Sequence, residues 1–322
     1  MAIDYILLPP GSYGNAELPL VIITAKCHPW LIEHLSVHFH VDYQPAISTT
    51  TLAAGIPAVG LILTTRLKVD AALIDAMPDL QWIGRLGSGL ELIDVAYAES
   101  KNIKVYSSPE GNANAVGEHA LGLLLALLNR ISWSHQEVKQ HLWLRDENRG
   151  TELSGKTVGI VGFGNTGSAF AKLLQPFGVT VLGYDKARYG FSRDHIKEAS
   201  LEQIQRYADV ISFHVPLTEE TNSMVNEAFI AGLKNAPILL NTSRGKVIDL
   251  RALQQGLEKG LLSGAGLDVI VNEKPADWNE EEKRQIDWLT SQPNVILTPH
   301  IAGYSHQAFL KMAQVIYHKI MG

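Results

Sequence analysis

The chain has 322 residues, 46% hydrophobic and 19% charged, with 27 basic against 33 acidic side chains and a formal charge of −6. That length suggests about two domains, and the apolar content excludes a largely disordered chain. A net negative chain lacks the basic surface that neutralises phosphates, so no nucleic-acid partner is expected.

A single cysteine, Cys27, allows no intrachain disulfide and points to a reducing, cytoplasmic setting. The first residues carry no basic region and run into Pro9 and Pro10, so no secretion signal is expected. The most apolar stretch, residues 120–128, is far shorter than the ~20 residues of a membrane span and reads as a buried helix.

In chain order, residues 18–25, 60–65, 81–86 and 103–107 are short apolar runs that predict strands, with helical patterns at 69–77 and 93–101. Helix-length spacers between apolar strands indicate βαβ units and a parallel sheet. A long helix is predicted over 115–138, followed by a polar connection at 145–155. A second series of strands is predicted at 157–162, 180–184, 209–214, 237–241, 264–268 and 295–298, with a last helix at 305–320. The acidic stretch 272–292 reads as irregular. The fold class expected is α/β, with two doubly wound parallel-sheet lobes.

The sharpest local signal is Gly162-x-Gly164-x-x-Gly167, which follows an apolar strand and precedes a helical pattern at 168–177. Gly162 permits a tight turn, Gly164 admits a pyrophosphate close to the backbone, and Gly167 lets helix and strand pack closely. The helix N-terminus then offers N–H groups and partial positive charge to phosphates. Asp185, ending the next strand, is placed for ribose hydroxyls and disfavours a 2′-phosphate, so the expected cofactor is NAD; Lys186 and Arg188 nearby weaken that preference.

Ligands of such sheets sit beyond the carboxyl ends of the strands. There the sequence places Arg244, Asp268 followed by Glu273, and His300. A guanidinium matches a carboxylate and can polarise a carbonyl. An imidazole can take and return a hydroxyl proton, and a neighbouring carboxylate stabilises its charged form. Such a set suits a 2-hydroxy or 2-oxo acid. The histidines at 28, 34, 38 and 40 lack a matching Cys or carboxylate pattern, so no metal site is expected.

The chain resembles the D-isomer-specific 2-hydroxyacid dehydrogenases, most of all the short phosphoglycerate dehydrogenases. The motifs are Arg85-Leu-Gly-Ser-Gly-Leu-Glu-Leu-Ile-Asp94, Ser108-Pro-Glu-Gly-Asn112, Val116-Gly-Glu-His119 and Glu152-Leu-Ser-Gly-Lys-Thr157. They continue with His214-Val-Pro-Leu217, Asn241-Thr-Ser-Arg-Gly245, Gly264-Ala-Gly-Leu-Asp-Val269 and Thr298-Pro-His-Ile-Ala-Gly303. Glu91 and Leu92 stand where relatives often carry Asp and then Asn or His.

The resemblance implies a catalytic set of Arg244, Glu273 and His300, with His300 as acid/base. It implies cofactor contacts at Asn165, Thr166, Val215, Thr242, Ser243, Asp268 and Gly303, beside the glycines and Asp185. Substrate contacts fall on Ser88 and Gly89, and on Arg66 and Arg85 if the substrate is phosphorylated. The implied organisation is discontinuous: a flavodoxin-like substrate lobe of residues 1–107 plus 299–322, and a Rossmann NAD lobe of residues 108–298. The long helix would then help form a homodimer. With the chain ending at Gly322, no C-terminal regulatory domain is expected. The implied function is NAD-dependent hydride transfer on a D-2-hydroxy acid, 3-phosphoglycerate or similar. Glyoxylate or hydroxypyruvate reduction is the alternative, and an NADH-sensing, corepressor-like binding protein a further one.

Overall fold

A computed structural model describes residues 7–47, 55–65 and 67–322. It divides into two compact units: residues up to Ala113 together with Tyr304–Gly322, and Asn114–Gly303.

The first unit contains β1 (Gly11–Tyr13), β2 (Leu20–Ile23), α1 (Pro29–Leu35), β3 (His40–Tyr43), β4 (Ala58–Leu63), α2 (Ala71–Asp75), β5 (Trp82–Arg85), α3 (Val95–Ser100) and β6 (Lys104–Ser107). The sheet order is β1-β3-β2-β4-β5-β6, parallel except for the antiparallel edge strand β1. Without β1 this is the 2-1-3-4-5 order of flavodoxin-like sheets. Alternation along β2 shows why both faces are covered. Ile22 packs with Leu61, Leu63 and Ile83 on one side, and Val21 and Ile23 pack with Val41 and Ile62 on the other.

Helix α4 (Pro109–Leu128) leads into the second unit, followed by α5 (Ile131–Lys139). The continuous helix predicted over 115–138 is therefore two helices. The break falls at Arg130, which adopts φ +52 and donates from Nε to Asn148 Oδ1 at 3.0 Å. The polar stretch 145–155 lies inside this unit rather than at its boundary. The series continues with β7 (Thr157–Val161), α6 (Asn165–Leu174), β8 (Thr180–Tyr184), β9 (Ile196–Glu198), α7 (Leu201–Tyr207), β10 (Val210–Phe213), α8 (Glu227–Ala231) and β11 (Ile238–Asn241). It closes with α9 (Leu250–Glu258), β12 (Gly264–Leu267), α10 (Glu280–Ser291) and β13 (Val295–Leu297), after which α11 (His306–Met321) returns the chain to the first unit.

The stretch expected to be irregular thus holds a helix. Asn279 starts α10, accepting from Glu281 and Glu282 N–H, while Glu282 accepts from Asn279 N–H to complete a capping box. Its order β9-β8-β7-β10-β11-β12-β13, all parallel, is the doubly wound 3-2-1-4-5-6 arrangement with one strand added. Among the described residues no helix is long and apolar enough to cross a membrane.

Candidate active site

Strand register brings the candidate residues of the second unit to one edge. Tyr184, Val161, Phe213, Asn241, Leu267 and Leu297 form a row of Cα partners across β8, β7, β10, β11, β12 and β13. One to three residues beyond that row stand Asp185, Gly162, Val215, Arg244, Asp268 and His300. Segments far apart in sequence therefore present their chemistry at the carboxyl edge of one sheet, where such folds hold ligands.

The glycine turn is built by close approach. Gly162 adopts φ +93, and a Cβ there would lie 2.4 Å from His214 O. A Cβ on Gly167 would lie 2.0 Å from Gly162 O, whereas one on Gly164 would meet nothing within 4 Å. Gly162 and Gly167 are thus required by the fold, and Gly164 leaves open space above the turn. Gly164 also caps α6 with no side-chain hydrogen bond, so the amides of Asn165, Thr166 and Gly167 begin a helix that no side chain caps. The helix starts at Asn165, three residues earlier than its apolar pattern predicts.

Asp185 is half-buried and holds both the turn and its own loop. Oδ2 accepts from Phe163 N–H at 2.8 Å, and Oδ1 accepts from Ala187 N–H at 2.9 Å and Arg188 N–H at 3.1 Å. A carboxylate has about four lone-pair sites, so acceptor capacity remains for ribose hydroxyls. Lys186 donates to both oxygens of Glu220, at 2.5 and 2.6 Å.

Beyond β11, Asn241 organises the loop. Its Oδ1 accepts from Ser243 N–H and Oγ, and its Nδ2 donates to Arg244 O at 3.0 Å. Arg244 Nη1 donates to Ser243 O at 2.7 Å, which fixes one corner of the guanidinium. A Cβ on Gly245 would come within 2.0 Å of the Ile270 backbone, so this loop packs directly on the segment after β12. Thr242 Oγ1 is buried without a hydrogen-bond partner among the described residues. An orphaned hydroxyl, an uncapped helix start, open space over Gly164 and spare capacity on Asp185 together fit a dinucleotide. Val215, which follows β10, and Gly303, in the turn after His300, are half-buried.

His300 adopts φ +54, a left-handed conformation costing about 1–3 kcal/mol that its surroundings must hold. Its N–H donates to Asp268 O at 2.8 Å. Its Nδ1 lies 2.8 Å from Glu273 Oε2, with both side chains about two-fifths exposed. Asp268, expected near the nicotinamide, is fully buried and spends its carboxylate on its own chain. It accepts from Ile301 N–H at 2.9 Å, Ala302 N–H at 2.8 Å and Thr298 Oγ1 at 2.5 Å. Burial alone would raise this carboxyl, but hydrogen bonds from His119, Thr298, Ala302 and Ile301 hold it below the usual range. The loop-setting parts played by Asn241, Gly245 and Thr298 were not singled out by the sequence, although all three stand inside its motifs.

In the first unit, Arg85 ends β5 and donates from Nη1 to the carbonyl of Leu86. Gly87 and Ser108 tie the following loop: Gly87 N–H donates to Ser108 Oγ and Ser108 N–H to Gly87 O, each at 2.9 Å. Ser88 is exposed and donates to Asn112 Oδ1 at 3.2 Å, and Gly89 is half-buried. Arg66 lies outside the described residues. Two of the clustered histidines have structural work: His28 Nδ1 accepts from Trp30 N–H to start α1, and His34 stacks on Trp30 at 3.8 Å.

Comparison with known proteins agrees with this architecture. Residues 121–302 match the family model described as D-isomer specific 2-hydroxyacid dehydrogenase, NAD binding domain. The chain is 38% identical over 266 residues to the hydroxypyruvate reductase of Thermotoga maritima, covering 82% of this chain and 85% of that one. It is 32% identical over 295 residues to the D-3-phosphoglycerate dehydrogenase of Mycobacterium leprae, covering 91% of this chain but only 54%, about half, of that relative's length. The crystal structure of D-lactate dehydrogenase from Aquifex aeolicus, complexed with NAD and lactic acid, superposes with a TM-score of 0.81 at 29% identity, covering 94% of this chain and 95% of that one. The chain belongs to the D-isomer specific 2-hydroxyacid dehydrogenases, NAD-dependent oxidoreductases acting on CH–OH donors.

Proposed function

We propose that Arg244, Glu273 and His300 carry hydride transfer between a nicotinamide and C2 of a small D-2-hydroxy or 2-oxo acid. The observation that carries this reading is the His300–Glu273 hydrogen bond at 2.8 Å at the carboxyl edge of a dinucleotide-binding sheet. When bound, the nicotinamide accepts the hydride in oxidation and gives it in reduction. An ionised carboxylate only accepts, so Glu273 keeps the proton on His300 Nδ1 and leaves Nε2 to exchange a proton with the substrate hydroxyl. Oxidation removes hydride from C2 and a proton from the hydroxyl oxygen; reduction returns both. Arg244 holds the substrate carboxylate and polarises the C2 carbonyl with its planar fork of donors.

Cofactor contacts are assigned to Gly162, Gly164, Asn165, Thr166, Gly167, Asp185, Val215, Thr242, Ser243 and Gly303, with Asp268 acting on the nicotinamide side through the loop it pins. Ser88 and Gly89 are assigned to the substrate carboxylate. Among substrates, hydroxypyruvate or glyoxylate has specific support. The 38% identical relative is a hydroxypyruvate reductase matched over most of its length, and Arg85 Nη1 is turned onto the adjacent Leu86 carbonyl. The 3-phosphoglycerate reading is supported by the 32% identity across 91% of the chain and by the two arginines, Arg66 and Arg85.

Purified protein supplied with NADH and a panel of 2-oxo acids, followed by loss of NADH absorbance, tests both. Turnover is expected with hydroxypyruvate or glyoxylate. Preference for phosphohydroxypyruvate selects the phosphoglycerate reading. Tight NADH binding with no turnover of any acid overturns the enzyme reading in favour of an NADH sensor. We further assign the protein to the cytoplasm, supported by a single cysteine that is buried and free. A homodimer is supported by the exposed apolar run Ile131, Val138, Leu142, Trp143 and Leu144 on α5 and the turn after it.

A further inference from the structure

We propose that His119 is a positioning residue for the proton-transfer loop, acting through Thr298 on the Asp268 carboxylate that fixes the backbone of His300. The inference rests on the reading of His300 as acid/base given above. Thr298 Oγ1 has one hydrogen, and at 2.5 Å from the carboxylate oxygen Asp268 Oδ1 that hydrogen can only point to Asp268. The same Oγ1 lies 3.0 Å from His119 Nε2, so it must accept there, which fixes the His119 tautomer with its proton on Nε2. His119 Nε2 also lies 3.4 Å from Asp268 Oδ1 itself. The result is a one-way chain from imidazole to hydroxyl to a fully buried carboxylate.

That carboxylate accepts the Ile301 and Ala302 amides, and the Asp268 carbonyl accepts the His300 amide. Every one of these bonds falls on residues 298–302, with left-handed His300 at the centre. His119 stands on α4, remote in sequence, and its side chain is about one-fifth exposed. Removing its donor leaves Thr298 Oγ1 short of a partner and loosens the carboxylate that sets the loop.

The test compares full-length His119→Leu, which removes the donor, with His119→Gln, whose amide nitrogen reaches the position of Nε2. In His119→Leu the Ile301 and Ala302 amides should exchange with solvent about tenfold faster. The kcat should fall about tenfold while the KM for NADH moves less than about twofold. His119→Gln should restore both readouts to within about threefold of wild type. The proposal is overturned if His119→Leu leaves amide exchange and kcat within about twofold of wild type, or if His119→Gln is as impaired as His119→Leu. If wild-type protein reduces no acid at all, the enzyme reading fails separately, and amide exchange alone still decides this one.

Discussion

His300 Nδ1 lies 2.8 Å from Glu273 Oε2, although one residue follows β13 and the other β12. The contact exists because two adjacent parallel strands end in register at Leu267 and Leu297, and because His300 turns through φ +54. A bond between two partly exposed side chains contributes little to stability, so its value lies in orienting the imidazole. His300→Asn should lower kcat by about 10²–10⁴, and Glu273→Gln by about 10–100-fold, with melting temperatures close to wild type. Near-normal turnover by His300→Asn would remove the imidazole from the chemistry.

Two glycines of one turn should respond oppositely to a methyl group. Gly164→Ala places a Cβ in open space at φ −78, so the protein should fold with a near-normal melting temperature. Its affinity for NADH should nevertheless fall at least about tenfold, because the methyl occupies the approach to the pyrophosphate. Gly167→Ala drives a Cβ into the Gly162 carbonyl and should cost about 1–3 kcal/mol of stability before any cofactor is added. Calorimetry and NADH titration of the two variants separate these effects; equal loss of stability in both would contradict an open cradle at Gly164.

Asp185, assigned above to the cofactor, has a second charged pair beside it. Lys186 follows Asp185 directly in sequence, and Glu220 engages it with both carboxylate oxygens, raising the Lys186 pKa through that hydrogen bond. Glu220→Gln frees the ammonium for a 2′-phosphate. The ratio of kcat/KM for NADPH to that for NADH should rise about threefold to tenfold, and more when Asp185→Ser is added. An unchanged ratio in both variants would show that neither residue selects the cofactor.

The glycine turn and the parallel strands were legible because their causes are local: close backbone approach, and unbroken apolar runs buried on both faces. Strand β3, His-Val-Asp-Tyr, was not, since its short alternating pattern carries half the apolar signal of a central strand. The break between α4 and α5 carries no Gly or Pro; Arg130 makes it in a conformation that Gly would have announced. Helix α10 announced itself only by its capping box, because just Ile286 and Leu289 of its twelve residues are buried. The double duty of Asp268 was invisible because its partners Ile301 and Ala302 lie 33 and 34 residues away, and His119 and Thr298 are separated by 179. Such contacts are set by strand order, which no local pattern encodes.

The exposed apolar run after the α4–α5 break bears on assembly. Trp143 is 78% exposed, with Ile131, Val138, Leu142 and Leu144 close in sequence. Such a cluster is costly to leave in water and is suited to a second copy of the chain. Wild type is expected to run as a dimer in light scattering at micromolar concentration, and Leu142→Glu combined with Trp143→Glu as a monomer with the fold retained by circular dichroism. A monomeric wild type, or a variant mass unchanged from wild type, would overturn this assignment of the apolar run.

His214 should leave a signature in the acid stability of the whole protein. It is buried at the end of β10, with Nε2 bonded to Ser212 Oγ at 2.8 Å and Nδ1 without a partner among the described residues. Burial lowers its pKa from the ordinary 6.5 to about 4. Above pH 6.5 the imidazole is neutral folded and unfolded, and it adds no pH dependence. Between about 6.5 and about 4 the unfolded chain binds a proton that the folded chain refuses, so stability falls as the pH drops; below about 4 both states are charged and the loss is complete. The total is on the order of 3 kcal/mol. His214→Gln keeps a polar partner for Ser212 but cannot titrate. It should be less stable than wild type at pH 7, through imperfect packing, yet lose less stability between pH 7 and pH 4. Melting curves across that range measure the difference in slope, and parallel curves would mean that His214 is already charged, or already solvated, in the folded protein.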